Sequence, residues 1–272
     1  MYKRQSLLLI VFRKKHILEI HDDLKSGGKK ISKIFRVLSL LNSSKIKKII
    51  FITKNLHRFI SNNYYFKKKN FEILPDASAI KVYNKKIYPK KNLNIGYFGS
   101  IYKSRGIDII IKLSKLDKKN NYFIYGGNLN EISKLKIKHK KKNLIFKSQI
   151  PYSEVSKHIN KMDIVLMPYT SKATSTGDIG NIINFMSPMK MFDYLSSGKL
   201  LISSDLPVLR EILKHNHNSF LIKNYYNIFE WKKCIDNYNV NNLSKLFIMR
   251  KNAQELMKSL SWTNRAKKII QN

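Results

Sequence analysis

One segment of the chain brings together residue types that could hold a phosphorylated ligand. Ser187 suits the N-cap of a helix, Pro188 its first position and Gly198 its end. The free N–H groups and the positive dipole end of such a helix favour a phosphate, and Lys190 adds a cation there. Asp193 follows about one turn later, where it could accept hydrogen bonds from ribose hydroxyls. An ordinary capped helix in an α/β domain explains the same residues.

A glycine-punctuated loop at residues 99–106 is a second candidate, because it joins a predicted strand to a predicted helix. Open α/β sheets bind ligands at such turns. Gly99 and Gly106 would let backbone N–H groups approach a phosphate, and Arg105 could grip it with two hydrogen bonds. The alternative is a simple turn with a solvated arginine.

His21 ends a predicted strand and precedes Asp22 and Asp23. One histidine and two carboxylates could indicate a metal site. However, adjacent side chains of an extended segment point apart, and no second ligand cluster is visible in the sequence. The sequence therefore predicts no metal centre, and a structural role is the usual one for a lone histidine at a strand end.

Alternating strands and helices predict an α/β protein with parallel sheets. The apolar run at 6–12 predicts a short buried element whose type periodicity does not decide. A basic, proline-containing linker at 81–91 predicts domains at 1–88 and 89–272. The first domain is predicted to contain strands at 17–20, 49–53 and 71–74 and helices at 31–41 and 56–62.

The second domain continues the alternation around the helix predicted at 187–198. Met189, Phe192 and Leu195 have the spacing of an apolar stripe on that helix. A further helix is predicted after Pro207 and through Glu211. The remaining predictions are strands at 93–98, 122–125, 144–146, 164–167 and 199–204, helices at 107–116, 132–139 and 151–159, a polar loop at 170–181, and helix from 228 onward with a break near 237–242.

The chain of 272 residues is strongly basic, since 53 Lys and Arg against 17 Asp and Glu give a net charge of +36. Such a charge favours anionic partners, including nucleic acid, anionic lipid and phosphorylated substrates. A composition rich in Lys, Ile and Asn, as an AT-rich genome would encode, explains much of it. Because Lys is spread along the chain and forms no stripe, we predict no specific nucleic-acid partner and retain an anionic membrane surface as a partner.

Cysteine usage and hydropathy predict a cytoplasmic protein, with peripheral attachment to the inner face of the membrane as a further expectation. Cys234 is the single cysteine, so an internal disulfide is excluded. The apolar run at 6–12 is at the short limit for a signal peptide and lacks a small-residue cleavage site. No run reaches the roughly 18 apolar residues of a membrane span.

Three segments together carry a family resemblance: SPMKMFDYLSSGKLLISSDLPVLRE at 187–211, GYFGSIYKSRGID at 96–108 and SWTNRA at 261–266. From about residue 17 onward the chain resembles the retaining group 1 glycosyltransferases, whose GT-B fold has two Rossmann-like domains. The resemblance implies one complete Rossmann-like C-terminal domain with a parallel sheet and a partial N-terminal Rossmann-like domain. The family's first strand–helix units have no counterpart here, as in a fragment or a chain with a misassigned start.

The resemblance also implies roles for single residues. His21 would face the reacting carbon of the donor sugar, and Arg105 and Lys190 would stabilise the diphosphate leaving group. Asp193 stands where the family has a Glu that binds the ribose. The implied donor-binding residues are Gly99, Ser100, Lys103, Arg105, Ser187, Pro188, Met189, Lys190 and Asp193.

Two positions depart from the family pattern. Phe185 stands where the pattern has a Glu, and Ser100 where many members have an Arg, which Lys103 could replace in part. The resemblance implies transfer of a sugar, with retention and without a metal or cofactor, from a nucleotide-diphosphate sugar to a glycan or lipid-linked acceptor in cell-surface polysaccharide synthesis. An inactive remnant of such an enzyme and a basic nucleic-acid-binding protein are the alternatives.

Overall fold

The computed structural model describes residues 3–24, 39–67, 70–80, 88–173, 181–240 and 243–271. Its strands form a sheet of three strands and a sheet of six, and all of the pairings between strands are parallel. The α/β class with parallel sheets is therefore confirmed. The domain boundary at 88/89 stays a prediction, because residues 81–87 of the predicted linker lie outside the described residues.

The N-terminal sheet has the order β1 (His16–Ile20), β2 (Ile46–Phe51), β3 (Phe71–Ile73). Its apolar strands pack under α2 (Lys54–Asn63), because Leu56 and Ile60 on one face of that helix are completely buried. The sequence predicts that Thr53 belongs to a strand. In the structure it instead caps α2, because its side chain accepts a hydrogen bond from the N–H of Leu56 at 3.1 Å.

Two predictions for the N-terminal part need comment. The run at 6–12 belongs to a helix, α1 (Lys3–Val11), and the prediction that it is buried was wrong for most of its length. Leu8, Val11 and Phe12 are 56%, 67% and 68% exposed, since helical geometry turns them away from the sheet. The helix predicted at 31–41 falls mostly outside the described residues, and its end is a single 3-10 turn at Leu40–Asn42.

The C-terminal sheet has the strand order β6–β5–β4–β7–β8–β9. The prediction missed its edge strand β9, a buried segment of three residues that is too short to show a period of its own. Helix α4 begins at Leu129, three residues before the predicted start, because Asn128 and Glu131 form a reciprocal capping box. The elements are β4 (Asn94–Phe98), α3 (Ile107–Leu116), β5 (Asn121–Tyr125), α4 (Leu129–Lys138), β6 (Leu144–Lys147), α5 (Tyr152–Ile159), β7 (Ile164–Met167), α6 (Met189–Ser197), β8 (Leu200–Ser204) and β9 (Phe220–Ile222).

The strand order of this sheet reverses between β4 and β7. The chain proceeds from β4 outward to β5 and β6, then returns to the other side of β4 to form β7, β8 and β9. Helices that connect such strands leave on opposite faces, which opens a crevice at the carboxyl ends of the two central strands. Gly99 directly follows β4, and Tyr169 lies just beyond β7, so both loops meet at this crevice.

The central helix α6 begins later than predicted. Pro188, and not Ser187, is its N-cap residue, with extended backbone angles and no side-chain cap. The Ser187 hydroxyl instead accepts a hydrogen bond from the backbone N–H of Asp76 at 3.2 Å. Gly198 ends the helix with φ 64°, as predicted. Met189 is 48% exposed, so it is not part of the buried stripe.

The helix predicted after Pro207 is only a 3-10 turn, Leu209–Glu211. Glu211 accepts hydrogen bonds from the first N–H groups of α2, those of Lys54 at 2.7 Å and Asn55 at 2.9 Å. Three helices follow: α7 (Ile228–Val240), α8 (Leu243–Ser259) and α9 (Trp262–Ile270). Helix α9 returns to the N-terminal sheet, where Arg265 pairs with Glu19 of β1 at 2.5 Å.

Candidate functional site

A cleft of about 710 Å³ separates the carboxyl ends of the two sheets. Most of its wall comes from the loops after β4, β5 and β7 and from the start of α6. The ends of β1 and β3 supply the opposite wall. The lining side chains with polar or catalytic potential include His21, Asp76, Arg105, Lys190 and Asp193.

Two cations converge on one aromatic ring in this cleft. The guanidinium carbon of Arg105 and the Nζ atom of Lys190 each lie 5.3 Å from the centre of the Tyr169 ring. Lys190 also donates a hydrogen bond to the hydroxyl of Tyr97 at 2.9 Å. Burial, with a contribution from the charge of Arg105, holds the pKa of Lys190 well below its usual value. An anion between these two cations would relieve both effects.

Glycines allow the loop after β4 to reach the cations. A Cβ atom on Gly99, whose φ is 140°, would lie 2.7 Å from Nζ of Lys190. A Cβ atom on Gly106 would lie 1.6 Å from the carbonyl oxygen of Pro168, so no larger residue fits between this loop and β7. The carbonyl of Ser100 accepts a hydrogen bond from Tyr97 at 2.6 Å, which fixes the loop.

The residues at the start of α6 present backbone groups to the same cleft. Ser187, Pro188 and Met189 all line it, so the N-terminal end of the helix faces the space beside Lys190. Lys103 differs from the other predicted ligands, because it is exposed on the 3-10 turn Lys103–Arg105 and does not line the cleft.

Asp193 is held by two hydroxyl groups from other parts of the chain. Its Oδ1 atom accepts hydrogen bonds from Ser78 at 2.7 Å and from the hydroxyl of Tyr152 at 2.9 Å. Burial raises the pKa of Asp193, although both hydroxyls act in the opposite direction. Burial and the neighbouring carboxylate raise the pKa of Tyr152 to about 12. The carboxylate is therefore fixed in position on the cleft wall.

His21 lies on the opposite wall, as its place after β1 predicts. Its Nε2 atom is 2.9 Å from Oε1 of Glu19, and the side chain is 57% exposed. Glu19 also pairs with Arg265, and hydrogen bonds and charges from His21 and Arg265 outweigh burial and lower the pKa of Glu19 to about 2. Asp22 accepts a hydrogen bond from the N–H of Leu24 at 2.8 Å, which occupies one of its oxygens.

Sequence reasoning missed two polar residues of the site. Asp76 lies in the loop after β3, three residues beyond the strand, and its place at the carboxyl end of a predicted strand was the signal that could have identified it. Tyr152 was placed correctly in the first turn of α5, but its hydrogen bond to Asp193 had no sequence signal. The described residues contain no group of three or more His, Cys, Asp and Glu side chains that could bind a metal ion.

A second cavity, of about 430 Å³, lies at the other edge of the C-terminal sheet. It is lined by residues at the amino ends of β7 and β8, including Asp163, which pairs with Lys90 at 2.6 Å. Ligands of open α/β sheets bind at the carboxyl ends of the strands, so this cavity is not the expected substrate site.

Comparison with protein families identifies the class of protein. Residues 81–256 match the family model described as "Glycosyl transferases group 1". The match covers more than half of the chain, and the chain therefore belongs to this family, as the resemblance of its three segments predicted. No curated protein sequence matches the chain.

Solved structures confirm the GT-B-like fold, and this chain spans part of the length of each of them. HepE of Anabaena, solved with UDP and glucose, has 15% identity and a TM-score of 0.70, over 98% of this chain and 73% of that one. Sucrose-phosphate synthase of Thermosynechococcus elongatus has 11% identity and a TM-score of 0.71, over 99% and 71%. WaaG, a glycosyltransferase involved in lipopolysaccharide biosynthesis, has 14% identity and a TM-score of 0.60, over 85% and 64%.

The structure shows whether any of its helices could span a membrane. Among the described residues, no helix is both long enough and apolar enough to cross a bilayer.

Proposed function

We propose that this chain transfers a sugar, with retention, from a nucleotide-diphosphate sugar to a glycan or lipid-linked acceptor. One observation carries the proposal: Arg105 and Lys190 converge on Tyr169 beside the N-terminal end of α6. Two cations and a helix start at a topological switch point form a site for a diphosphate. The family to which the chain belongs supports the class of reaction.

In this proposal, the cations act by stabilising the leaving group. As the bond between the anomeric carbon and the phosphate oxygen breaks, negative charge develops on the diphosphate, next to Arg105 and Lys190. The proton of the attacking acceptor hydroxyl passes to an oxygen of the departing phosphate on the same face of the sugar. His21, oriented by Glu19, faces the site of bond exchange. The step needs no metal or further cofactor.

The nucleoside would lie along the C-terminal wall. Asp193 lines the cleft with a carboxylate that Ser78 and Tyr152 hold in place, so it is suited to accept hydrogen bonds from the ribose hydroxyls. The structure of HepE with UDP and glucose supports a uridine nucleotide as the first donor to test.

As the acceptor we propose a cell-surface glycan or its lipid-linked precursor. The role of WaaG in lipopolysaccharide biosynthesis supports this choice. The net charge of +36 would draw the protein to the anionic inner face of the membrane, where a lipid-linked acceptor is presented.

Isothermal titration of the purified chain with UDP and GDP tests the proposal. We expect saturable micromolar binding that Arg105→Ala and Asp193→Ala both weaken. Arg210→Ala removes the same charge from a side chain that is 55% exposed and pairs with Asp205 outside the cleft, and it should leave the affinity unchanged. A folded chain that binds neither nucleotide would refute the proposal and indicate a remnant with a lost donor site.

A further inference from the structure

Asp76 is a buried carboxylate on the part of the cleft wall that the N-terminal sheet supplies. It lies three residues after the end of β3, is only 9% exposed and lines the same cleft as the two cations. Within the described residues it forms no ion pair, in contrast to Glu19 and Asp163, which are each paired with a Lys or Arg.

The position of Asp76 is fixed from two sides. The hydroxyl of Ser187 accepts a hydrogen bond from its backbone N–H at 3.2 Å and also bonds to its carboxylate. Arg265 donates hydrogen bonds to the two preceding carbonyls, those of Pro75 at 3.0 Å and Leu74 at 3.3 Å. A carboxylate held this way, beside the segment that opens α6, has the rigidity of a ligand-binding group.

The carboxylate of Asp76 receives a side-chain hydrogen bond from Ser187 but is otherwise in a setting that disfavours its charge. Burial raises its pKa, and the charges of His21 and Arg265 offset that effect only in part. A carboxylate can accept about four hydrogen bonds, so hydroxyl groups of a ligand can donate to Asp76 beside Ser187 without adding charge. The site therefore favours a polyol.

We propose that Asp76 binds hydroxyl groups of the transferred sugar. This rests on the proposed function, which places the diphosphate at Arg105, Lys190 and the start of α6. The sugar attached to that diphosphate is placed against the wall that carries His21 and Asp76, because Ser187 at the start of α6 contacts Asp76 directly. Asp76 then selects among donors by the hydroxyl pattern of their sugar, while His21 faces the anomeric carbon at which the bond to the phosphate breaks.

A comparison of ligands with and without the sugar tests this assignment. UDP is titrated beside UDP-glucose and UDP-N-acetylglucosamine, and GDP beside GDP-mannose, into the unaltered chain and into Asp76→Asn. Loss of the charged acceptor should weaken the best nucleotide-sugar about tenfold and leave its nucleoside diphosphate within about twofold. If the ratio of the affinities for the nucleotide-sugar and its nucleoside diphosphate is the same in Asp76→Asn as in the unaltered chain, the proposal is overturned.

Two further variants separate sugar binding from folding. Asp163→Asn neutralises an aspartate of matching burial, 8% exposed, on the far edge of the sheet, and should not alter the ratio of the two affinities. Asp76→Glu keeps the charge but moves the oxygens by one methylene, and should weaken the nucleotide-sugar selectively even if Asp76→Asn is unfolded by circular dichroism. Equal weakening of UDP and UDP-sugar in that variant would contradict a sugar contact. Failure of the unaltered chain to bind UDP and GDP would instead refute the proposed function.

Discussion

Glu19→Gln removes the charge that joins β1 to the C-terminal helix α9. The side chains of Glu19 and Arg265 are 19% and 10% exposed, so solvent screens their pair only weakly. The pKa of Glu19 falls from 4.5 to about 2 in the folded protein. At about 1.4 kcal/mol per pKa unit, ionised Glu19 contributes on the order of 3 kcal/mol to the free energy of unfolding at pH 7.

The pH dependence of this contribution has a definite sign. Because the pKa is lower in the folded state, the stabilisation is fully present above pH 4.5 and is lost as the pH falls toward 2. Between pH 7 and pH 4, about 1 kcal/mol of it should disappear. The glutamine variant cannot titrate at this position, so its stability should change less over the same range.

Urea unfolding of the two chains at pH 7, 5 and 4, followed by circular dichroism, measures this difference. Glu255→Gln is the matched control, because Glu255 pairs with Lys258 where both side chains are two-thirds exposed, at 66% and 68%. An exposed pair is worth at most about 1 kcal/mol, so this control should be nearly neutral at every pH. Equal effects of Glu19→Gln and Glu255→Gln, or a gap for Glu19→Gln that does not narrow at pH 4, would refute the reasoning.

Three further outcomes are expected from the geometry of the cleft. Lys190→Met should lower nucleotide affinity at least about tenfold. It should not lower the free energy of unfolding, because the depressed pKa of Lys190 means that the folded state disfavours its charge; a strongly destabilised variant would contradict this. Tyr152→Phe removes one of the two donors to Asp193 and should weaken UDP about threefold but leave 2′-deoxy-UDP unaffected. Gly106→Ala should lower the free energy of unfolding in urea by about 2 kcal/mol, because its φ of 74° and the carbonyl of Pro168 exclude a side chain. An unchanged free energy of unfolding would contradict this and show that the loop can shift to accept the methyl group.

Local sequence patterns predicted most of the C-terminal sheet, and the reason is physical. Strands such as β7 are buried on both faces and appear as short apolar runs, and the helices between them have clear amphipathic spacing. Asn128 and Glu131 show the limit of such patterns. Their capping box starts α4 three residues before the predicted helix, although the sequence of the box is typical of a helix start. The missed strand β9 has only three residues, and it is a strand because it pairs with β8, which the sequence pattern does not show.

The candidate site was predictable where it depends on neighbours in sequence and not where it depends on distant contacts. Lys190 and Arg105 lie in the cleft because they belong to the helix start and the glycine loop that the sequence indicates. Ser187 was wrongly predicted as the N-cap because its hydroxyl bonds to Asp76, 111 positions away. The same separation kept Asp76 out of the predicted site.

The return of α9 to the N-terminal sheet also orders events during synthesis. Glu19 and His21 are among the first described residues to be made, but the guanidinium that fixes Glu19 lies 246 positions later. Contacts of such long sequence separation form late and slow folding. The wall of the cleft that carries His21 and Asp76 therefore acquires its final geometry only after α9 has been translated. The residues that form the cation pair and the glycine loop are made before α9, and so before the surface that we propose to contact the sugar is complete.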